Sequence, residues 1–248
     1  MNNVLSLDHV HLVDLSHSYS SETIYWPTEE GFKLEKEFDG MTDKGYYYSA
    51  NKFSSPEHGG THIDAPIHFA KQKQTVDQVS LEKLLGQAIV INVSKKALKN
   101  PDYQISVEDF TNWESSFGKI PDDTIVLLYT GYGKFWPDRL KYIGTNKMGK
   151  KAINELHFPG LHHDAAKWLV GNRNIKSIGL DTQSIDYGQS KFFETHRILC
   201  ENNIPFFENV CNLDQLPSTE VYVIALPMKI EGGSGAPLRI IAIIPKKV

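Results

Sequence analysis

The sequence predicts one mixed α/β domain. Short runs rich in Val, Ile and Leu recur along the 248 residues, helical patterns fall between some of them, and no repeat or Ser/Gly/Pro linker divides the chain. A single unit spanning 1–248 is therefore the simplest count. The strand candidates, in order, are HVHLVDL at 9–15, AIVINV at 88–93, TIVLLY at 124–129, SIGL at 177–180, VYVIAL at 221–226 and RIIAII at 239–244. Their β-branched content and brevity favour buried strands over helices. SLEKLLG at 80–86 reads as a helix opened by a Ser cap and closed by Gly86. HHDAAKWLV at 162–170 stops at Gly171, and QSKFFETHRILCENN at 189–203 stops at an Asn pair. The least regular stretch, 131–159, mixes Tyr132, Phe135, Trp136 and Tyr142 with basic residues and glycines, the composition of a long functional loop.

Composition removes several function classes. Lys and Arg number 26 against 30 Asp and Glu, a net charge of −4, which is no nucleic-acid footprint. The 40% hydrophobic and 23% charged content excludes a disordered or fibrous chain. A chain this long buries roughly 70–75% of its unfolded surface, so folding needs neither a disulfide nor a structural metal. Cys200 and Cys211 are too few for a secreted disulfide framework and form no C-x-x-C pair. Ten histidines against two cysteines direct any metal chemistry towards nitrogen and oxygen ligands. The start, MNNVLSLDHVHLVDLSH, has no basic leader region, and no run approaches the ~18 apolar residues of a membrane span. The expectation is a soluble, cytoplasmic protein with no membrane partner.

The densest chemistry is His58-Gly59-Gly60-Thr61-His62-Ile63-Asp64-Ala65-Pro66-Ile67-His68-Phe69. Gly59, Gly60 and Pro66 oppose a continuous helix. Positions 58, 62, 64 and 68 differ by even numbers, so the alternation of an extended chain places all four on one face. A straight strand would hold His58 and His62 ~13 Å apart, too far for two bonds of ~2.1 Å to one metal, and the Gly59-Gly60 pair supplies the bend. His62 and Asp64, ~6.6 Å apart, can converge on one ion or face two ions with the carboxylate as bridge. His68, beyond Pro66, is placed as a proton carrier whose imidazole titrates near neutrality. A lone histidine here would be an ordinary polar turn residue; three histidines and an aspartate alternating around glycines read as a metal site.

Two histidines do not complete a metal shell, and His196 and Glu208 are the best downstream candidates. Glu208 lies in IPFFENV, where a carboxylate is costly to bury unless paired or metal-bound. His196 sits on the preceding helical pattern. Other features carry less. Asp181, Ser184 and Asp186 follow a short strand and serve function or turn hydrogen bonds equally well. Ser184 has no adjacent histidine, which disfavours a serine triad. Glu231-Gly232-Gly233-Ser234-Gly235 lacks the ending of a phosphate loop and reads as a strand connection. His162 and His163 read as surface or capping residues, and His9 and His11 as structural.

The run H-x-G-T-H-x-D-x-P-x-H-F, His58 to Phe69, resembles the signature of the metal-dependent cyclase-like hydrolases, a family that includes kynurenine formamidases (arylformamidases) and isatin hydrolases. Supporting marks are Asp14-Leu15-Ser16-His17, Trp26-Pro27, Phe158-Pro159-Gly160-Leu161, Gly179 to Asp186, His196 with Glu208-Asn209, and Gly235 to Arg239. The resemblance implies a single-domain α/β fold of layered β/β/α, swivelling type, and a dimer or tetramer of identical chains. It implies one or two divalent ions, Zn2+ or Mn2+, with His58, His62 and Asp64 on one and Asp64, His196 and Glu208 on the other. His68 would be the proton donor and acceptor, and Trp26 would line the substrate pocket. The segment from Gly131 to Leu156 and His157 is longer than in compact formamidases and resembles the longer members, among which isatin hydrolases fall.

The expected function is hydrolysis of the amide C–N bond of a small molecule, an N-formyl aryl amide or a cyclic amide, by a metal-activated hydroxide with His68 moving the proton. Trp26, Tyr132 and Trp136 are candidates to sandwich a flat substrate. An isatin-hydrolase-like cyclic amidase and a catalytically idle ligand-binding module on the same fold are the alternatives.

Overall fold

The computed structural model describes residues 8–246. Residues 1–7, part of the stretch read above as lacking a leader, lie outside the described residues. In chain order the strands are β1 (Val10–Asp14), β2 (Lys33–Met41), β3 (Tyr47–Ser54), β4 (His62–Asp64), β5 (Leu85–Asn92), β6 (Gln104–Ile105), β7 (Thr124–Tyr129), β8 (Gly160–Leu161), β9 (Ile175–Leu180), β10 (Phe206–Glu208), β11 (Val221–Pro227) and β12 (Gly235–Pro245). The α-helices are α1 (Leu81–Leu84), α2 (Ser94–Ala97), α3 (Val107–Phe117), α4 (Arg139–Ile143), α5 (His163–Asn172) and α6 (Glu194–Glu201).

One eight-stranded sheet runs β1-β12-β11-β5-β7-β9-β10-β4, and β4 also pairs with β12. All of these strands except β1 therefore form a closed, barrel-like ring. The three-residue β4 is the seam: it is antiparallel to β10 on one side and to Gly235–Pro237 of β12 on the other. Strands β5, β7, β9 and β10 run parallel, which explains their unbroken apolar runs, because a parallel strand is buried on both faces. Alternation divides them. Ala88, Val90, Ile125 and Leu127 fill the ring interior, while Ile89, Ile91, Val126 and Leu128 pack outward against Phe110 and Trp113 of α3, Leu169 of α5 and Leu199 of α6. The walls of the ring supply two β layers and α3, α5 and α6 a third, the layered arrangement expected.

Several boundaries differ from the sequence reading. The pattern at 80–86 is helical only over Leu81–Leu84; Leu85 and Gly86 already belong to β5, paired with β11. The helix at 162–170 continues through Gly171 to Asn172. The pattern at 189–203 is helical only from Glu194, because Phe193 takes a left-handed conformation (φ 48°) and the preceding turn folds onto Asp186 through Ser190 Oγ. The β2–β3 hairpin was not legible: its residues are nearly all exposed, including Leu34, Met41, Tyr47 and Phe53, so no buried face imposes a pattern.

The segment 131–159 is ordered chain rather than open loop. Tyr132, Tyr142, Ile143, Leu156 and Phe158 build a third apolar cluster with Ile24, and Trp26, Phe135 and Trp136 pack against it. Gly149 N–H donates to Pro27 O (2.7 Å) and Arg139 Nη1 to Tyr25 O (3.1 Å), so the segment braces the chain around Trp26.

His17 stacks flat on Trp136 (centroids 4.2 Å, 10° between planes), and its buried Nε2 has no hydrogen-bond partner among the described residues. Burial pushes its pKa down to about 4 from 6.5. An unfolded His17 binds a proton between pH 6.5 and 4 while the native one does not, so its contribution to stability is lost as pH falls through that window. The metal-free protein is expected to lose on the order of 2–3 kcal/mol this way. His17→Phe, which keeps a ring on Trp136, should remove that part of the slope; an unchanged urea-midpoint profile from pH 7 to 4 would contradict it.

Candidate metal centre

The centre forms where β4 meets β10 beside α6. His62 lies directly opposite Glu208 across the β4–β10 ladder, and Ile63 between His62 and Asp64 points into the ring interior. The even spacing of His62 and Asp64 thus works as expected. It does not extend to His58 and His68, which lie outside β4. His58 is brought back by the Gly59-Gly60 turn. Gly60 has φ +58°, and a Cβ there would lie 2.8 Å from the Tyr19 ring, while a Cβ on Gly59 would lie 2.1 Å from Tyr25. Pro66 then opens a 3-10 turn, Pro66–His68, that returns His68 to the same cavity.

Asp64 is the hub. His58 Nδ1 lies 2.8 Å and His62 Nε2 3.1 Å from Asp64 Oδ1; His68 Nε2 and His196 Nε2 each lie 3.6 Å from Oδ2. Glu208 approaches His62 Nε2 at 3.4 Å and His196 Nε2 at 3.5 Å. All six residues named from the sequence as ligands or proton carrier are therefore in one place. Among these six residues, two sets have ligand atoms within 4.8 Å of one another: His62, Asp64 and Glu208, and His58, Asp64 and His68. They share Asp64, as a bridging carboxylate would, but the grouping departs from the expected one by placing His62 with Glu208 and His68 with His58.

The outer nitrogens fix what the inner ones offer. His62 Nδ1 lies 2.9 Å from Gly60 O, a carbonyl that can only accept, so Nδ1 carries the proton and Nε2 presents a lone pair. That Nε2 is buried, has no hydrogen-bond partner among the described residues and faces two carboxylates. His196 repeats the arrangement. Asp186 Oδ2 lies 2.6 Å from its Nδ1 and accepts the His196 backbone N–H at 3.0 Å, which leaves Nε2 turned to Asp64 and Glu208. Lone pairs converging without a donor repel unless a cation lies between them, and carboxylate- or carbonyl-anchored imidazoles are the usual outer support of metal ligands. The donors, imidazole and carboxylate, fit a divalent ion such as Zn2+ or Mn2+.

The titration of the acids agrees with this. Burial opposes charge on Asp64, but the His58 and His68 charges, with the His58 and His62 nitrogens set against its oxygens, hold it well below the usual carboxylate range. Burial and the neighbouring Asp64 charge push Glu208 far up, although Ile185 N–H donates to it at 2.7 Å. Burial and the like charge of Asp64 thus favour a proton or a cation beside Glu208. Burial pushes His68 down to about 4, so its imidazole is neutral at pH 7.

The centre opens into a cavity of about 350 Å³. Trp26, Phe69 and Phe193 form an aromatic wall, with the Phe193 centroid 6.2 Å from that of Trp26 and 5.4 Å from that of Phe69. Gln183 and Ser184 also line it. Trp26, which the family resemblance assigns to the pocket, is among the residues that line this cavity. Tyr132 and Trp136 are not: Trp136 stacks on His17 and meets Tyr142 edge-on, Tyr132 is buried against Phe135, and neither lines the cavity. Among the described residues, none of 131–159 lines the cavity; the segment packs behind Trp26, which does. Asp181 is buried beneath the N–H groups of Thr130 and Gly131 and serves that loop. The sequence weighs function and a turn role equally for Asp186, because its meeting with His196 depends on how the chain enters α6.

A closed sheet whose seam carries a histidine–carboxylate centre under an aromatic wall defines the class. The chain belongs to the Cyclase family, whose pattern matches residues 13–187. It is 30% identical over 210 residues to an isatin hydrolase of Roseibium aggregatum (82% of this chain, 77% of that protein). It is 28% identical over 237 residues to a kynurenine formamidase of Bacillus cereus (92% and 94%). Among solved structures, isatin hydrolase A of Ralstonia solanacearum superposes with a TM-score of 0.84 over 95% of this chain and 92% of that one, at 30% identity. An isatin hydrolase bound to the product analogue thioisatinate gives 0.85 over 96% and 94%, at 26% identity.

Proposed function

We propose that this protein is a metal-dependent hydrolase that cleaves the C–N bond of an amide attached to an aromatic ring. The observation that carries it is the buried, unpartnered Nε2 of His62, held between Asp64 and Glu208 at the floor of an aromatic-walled cavity. His58, His62, Asp64, His196 and Glu208 would hold one or two ions. The chemistry such an ion supplies is Lewis-acid activation of water and of a carbonyl. The chain's own residues do the rest. Trp26, Phe69 and Phe193 bind the flat ring and exclude water; Gly60 O and Asp186 orient His62 and His196. The neutral His68 takes a proton on one nitrogen and returns it to the departing amide nitrogen.

An open N-formyl aryl amide, as in an arylformamidase, is the first substrate reading, and the names of the Bacillus relatives support it. A cyclic amide is the second, supported by the likeness to isatin hydrolases over nearly the whole chain. We further propose a cytoplasmic protein, consistent with two buried cysteines in the free state, and an assembly of identical chains, consistent with the exposed Phe38, Met41, Tyr47, Tyr48 and Phe53 on β2–β3. The test is to measure bound metal, then assay N-formylkynurenine, isatin and simple cyclic amides before and after chelation. Turnover of one aryl amide that disappears on chelation and returns with Zn2+ or Mn2+ is expected; full activity in the stripped protein would overturn the reading.

A further inference from the structure

We propose that Glu57, Ser234 and His58 form a hydrogen-bonded relay that sets the tautomer of His58 and thereby the affinity of the centre for its ion. The inference rests on the metal-centre reading above and concerns two residues, Glu57 and Ser234, that lie outside the ligand set. Ser234 Oγ lies 2.6 Å from Glu57 Oε2, and the Ser234 backbone N–H donates to the same oxygen at 3.0 Å. His58 Nε2 lies 2.8 Å from Ser234 Oγ. Proton accounting then settles the outer side of the ring. A carboxylate only accepts, so the single hydroxyl hydrogen of Ser234 goes to Glu57; the oxygen that remains can only accept, and His58 Nε2 must carry the hydrogen. Nδ1, the atom 2.8 Å from Asp64 Oδ1, is thereby left facing the centre: it donates to that carboxylate while it holds a hydrogen and offers its lone pair when an ion displaces that hydrogen.

His58 thus faces the centre through Nδ1, whereas His62 and His196 have Nδ1 tied outward and face it through Nε2. All three have a committed outer nitrogen, but only His58 depends on an acceptor that must itself be held in the accepting state. Glu57 does that. Remove its carboxylate and the Ser234 hydroxyl is free to turn and donate to His58 Nε2, which moves the imidazole proton to Nδ1 and blocks the ligating lone pair.

The surrounding chain is built to hold Ser234 there. Gly232 N–H donates to Asp77 Oδ1 (3.0 Å), Val76 N–H to Gly233 O (2.9 Å) and Ala65 N–H to Ser234 O (2.8 Å). A Cβ on Gly233 would lie 2.9 Å from Glu57 Oε1, and one on Gly235 would lie 2.5 Å from His58 Cε1. The glycines of the 231–235 run are therefore where Glu57 and His58 pack over the backbone, which gives that run a purpose beyond connecting β11 to β12. The relay also fixes the plane of the His58 ring, on which His68 stacks at 3.8 Å and 19°.

The experiment is a Zn2+ titration of the full-length, metal-free protein against a chromophoric chelator, for wild type, Glu57→Ala, Glu57→Gln, Ser234→Ala, the Glu57→Ala/Ser234→Ala double variant and His62→Ala. Glu57→Ala and Ser234→Ala should each weaken Zn2+ binding by about 10–100-fold, the range for outer-shell partners of metal ligands. Because the residues act in series, the double variant should be no weaker than the worse single one, and Glu57→Gln, whose amide oxygen still accepts, should recover most of the loss. Wild-type affinity in both alanine variants, with His62→Ala impaired, overturns the relay and leaves the metal centre standing. Losses that multiply in the double variant also overturn it. Wild-type protein that binds no Zn2+ overturns both.

Discussion

Asp64→Asn is expected to lose bound metal and to lower turnover by at least ~10³-fold, since a metal's charge stabilisation is worth several kcal/mol and each 1.36 kcal/mol is tenfold. The substitution keeps the shape of the side chain and removes the one charge shared by both sets of converging ligand atoms. Among the described residues, no other carboxylate lies within 4 Å of all four imidazoles, those of His58, His62, His68 and His196. A cooperative unfolding transition separates this from misfolding. In the metal-free protein, the Asp64 charge helps push Glu208 up. The amide introduced by Asp64→Asn removes that repulsion and offers an N–H towards the unpartnered Nε2 of His62. The substitution also gives up the ionised carboxylate that the surrounding imidazoles stabilise, so metal-free Asp64→Asn should still unfold in one cooperative transition while holding no metal. Elemental analysis with thermal unfolding checks both halves, and a variant that keeps its metal would remove Asp64 from the centre.

Legibility in the sequence follows burial. β5, β7, β9 and β11 stand out because their apolar runs are buried in the closed sheet, and β7 begins and ends at the residues the run marks, Thr124 and Tyr129. The hairpin β2–β3 has apolar residues but no interior to alternate against, so its pattern is silent. The site shows the same division. His58, His62, Asp64 and His68 are conspicuous because they are close in sequence, yet only His62 and Asp64 owe their shared face to strand alternation; the other two arrive through turns at Gly59-Gly60 and Pro66. Asp186, Glu57 and Ser234 act through contacts that chain separation conceals, Glu57 and Ser234 lying 177 positions apart. Tyr132 and Trp136 show the converse error: aromatic composition marks a region of dense packing, but which face of that packing borders a cavity is set by tertiary structure.

His68→Ala is expected to leave the metal in place and to lower turnover by about 10²–10⁴-fold, the usual worth of a positioned proton carrier. The geometry makes this a sharp test, because His68 stands near enough to be a ligand. Its Nε2 lies 3.6 Å from Asp64 Oδ2 and belongs to the His58, Asp64 and His68 set. Three features place it on the proton-carrying side. It is reached through the Pro66–His68 turn rather than from the sheet, it is more exposed than His62 or His196 (28% against 1% and 5%), and no carbonyl or carboxylate anchors its outer nitrogen among the hydrogen bonds of the described residues. An imidazole without an outer anchor can swing between water and leaving group, which a ligand cannot do. Its neighbours hold it by faces alone: His58 stacks beneath it at 3.8 Å and Phe69 meets it edge-on at 4.6 Å. Metal content at wild-type level with lost turnover, partly restored by added imidazole, fits a proton carrier. Loss of metal in proportion to loss of turnover would instead make His68 a ligand.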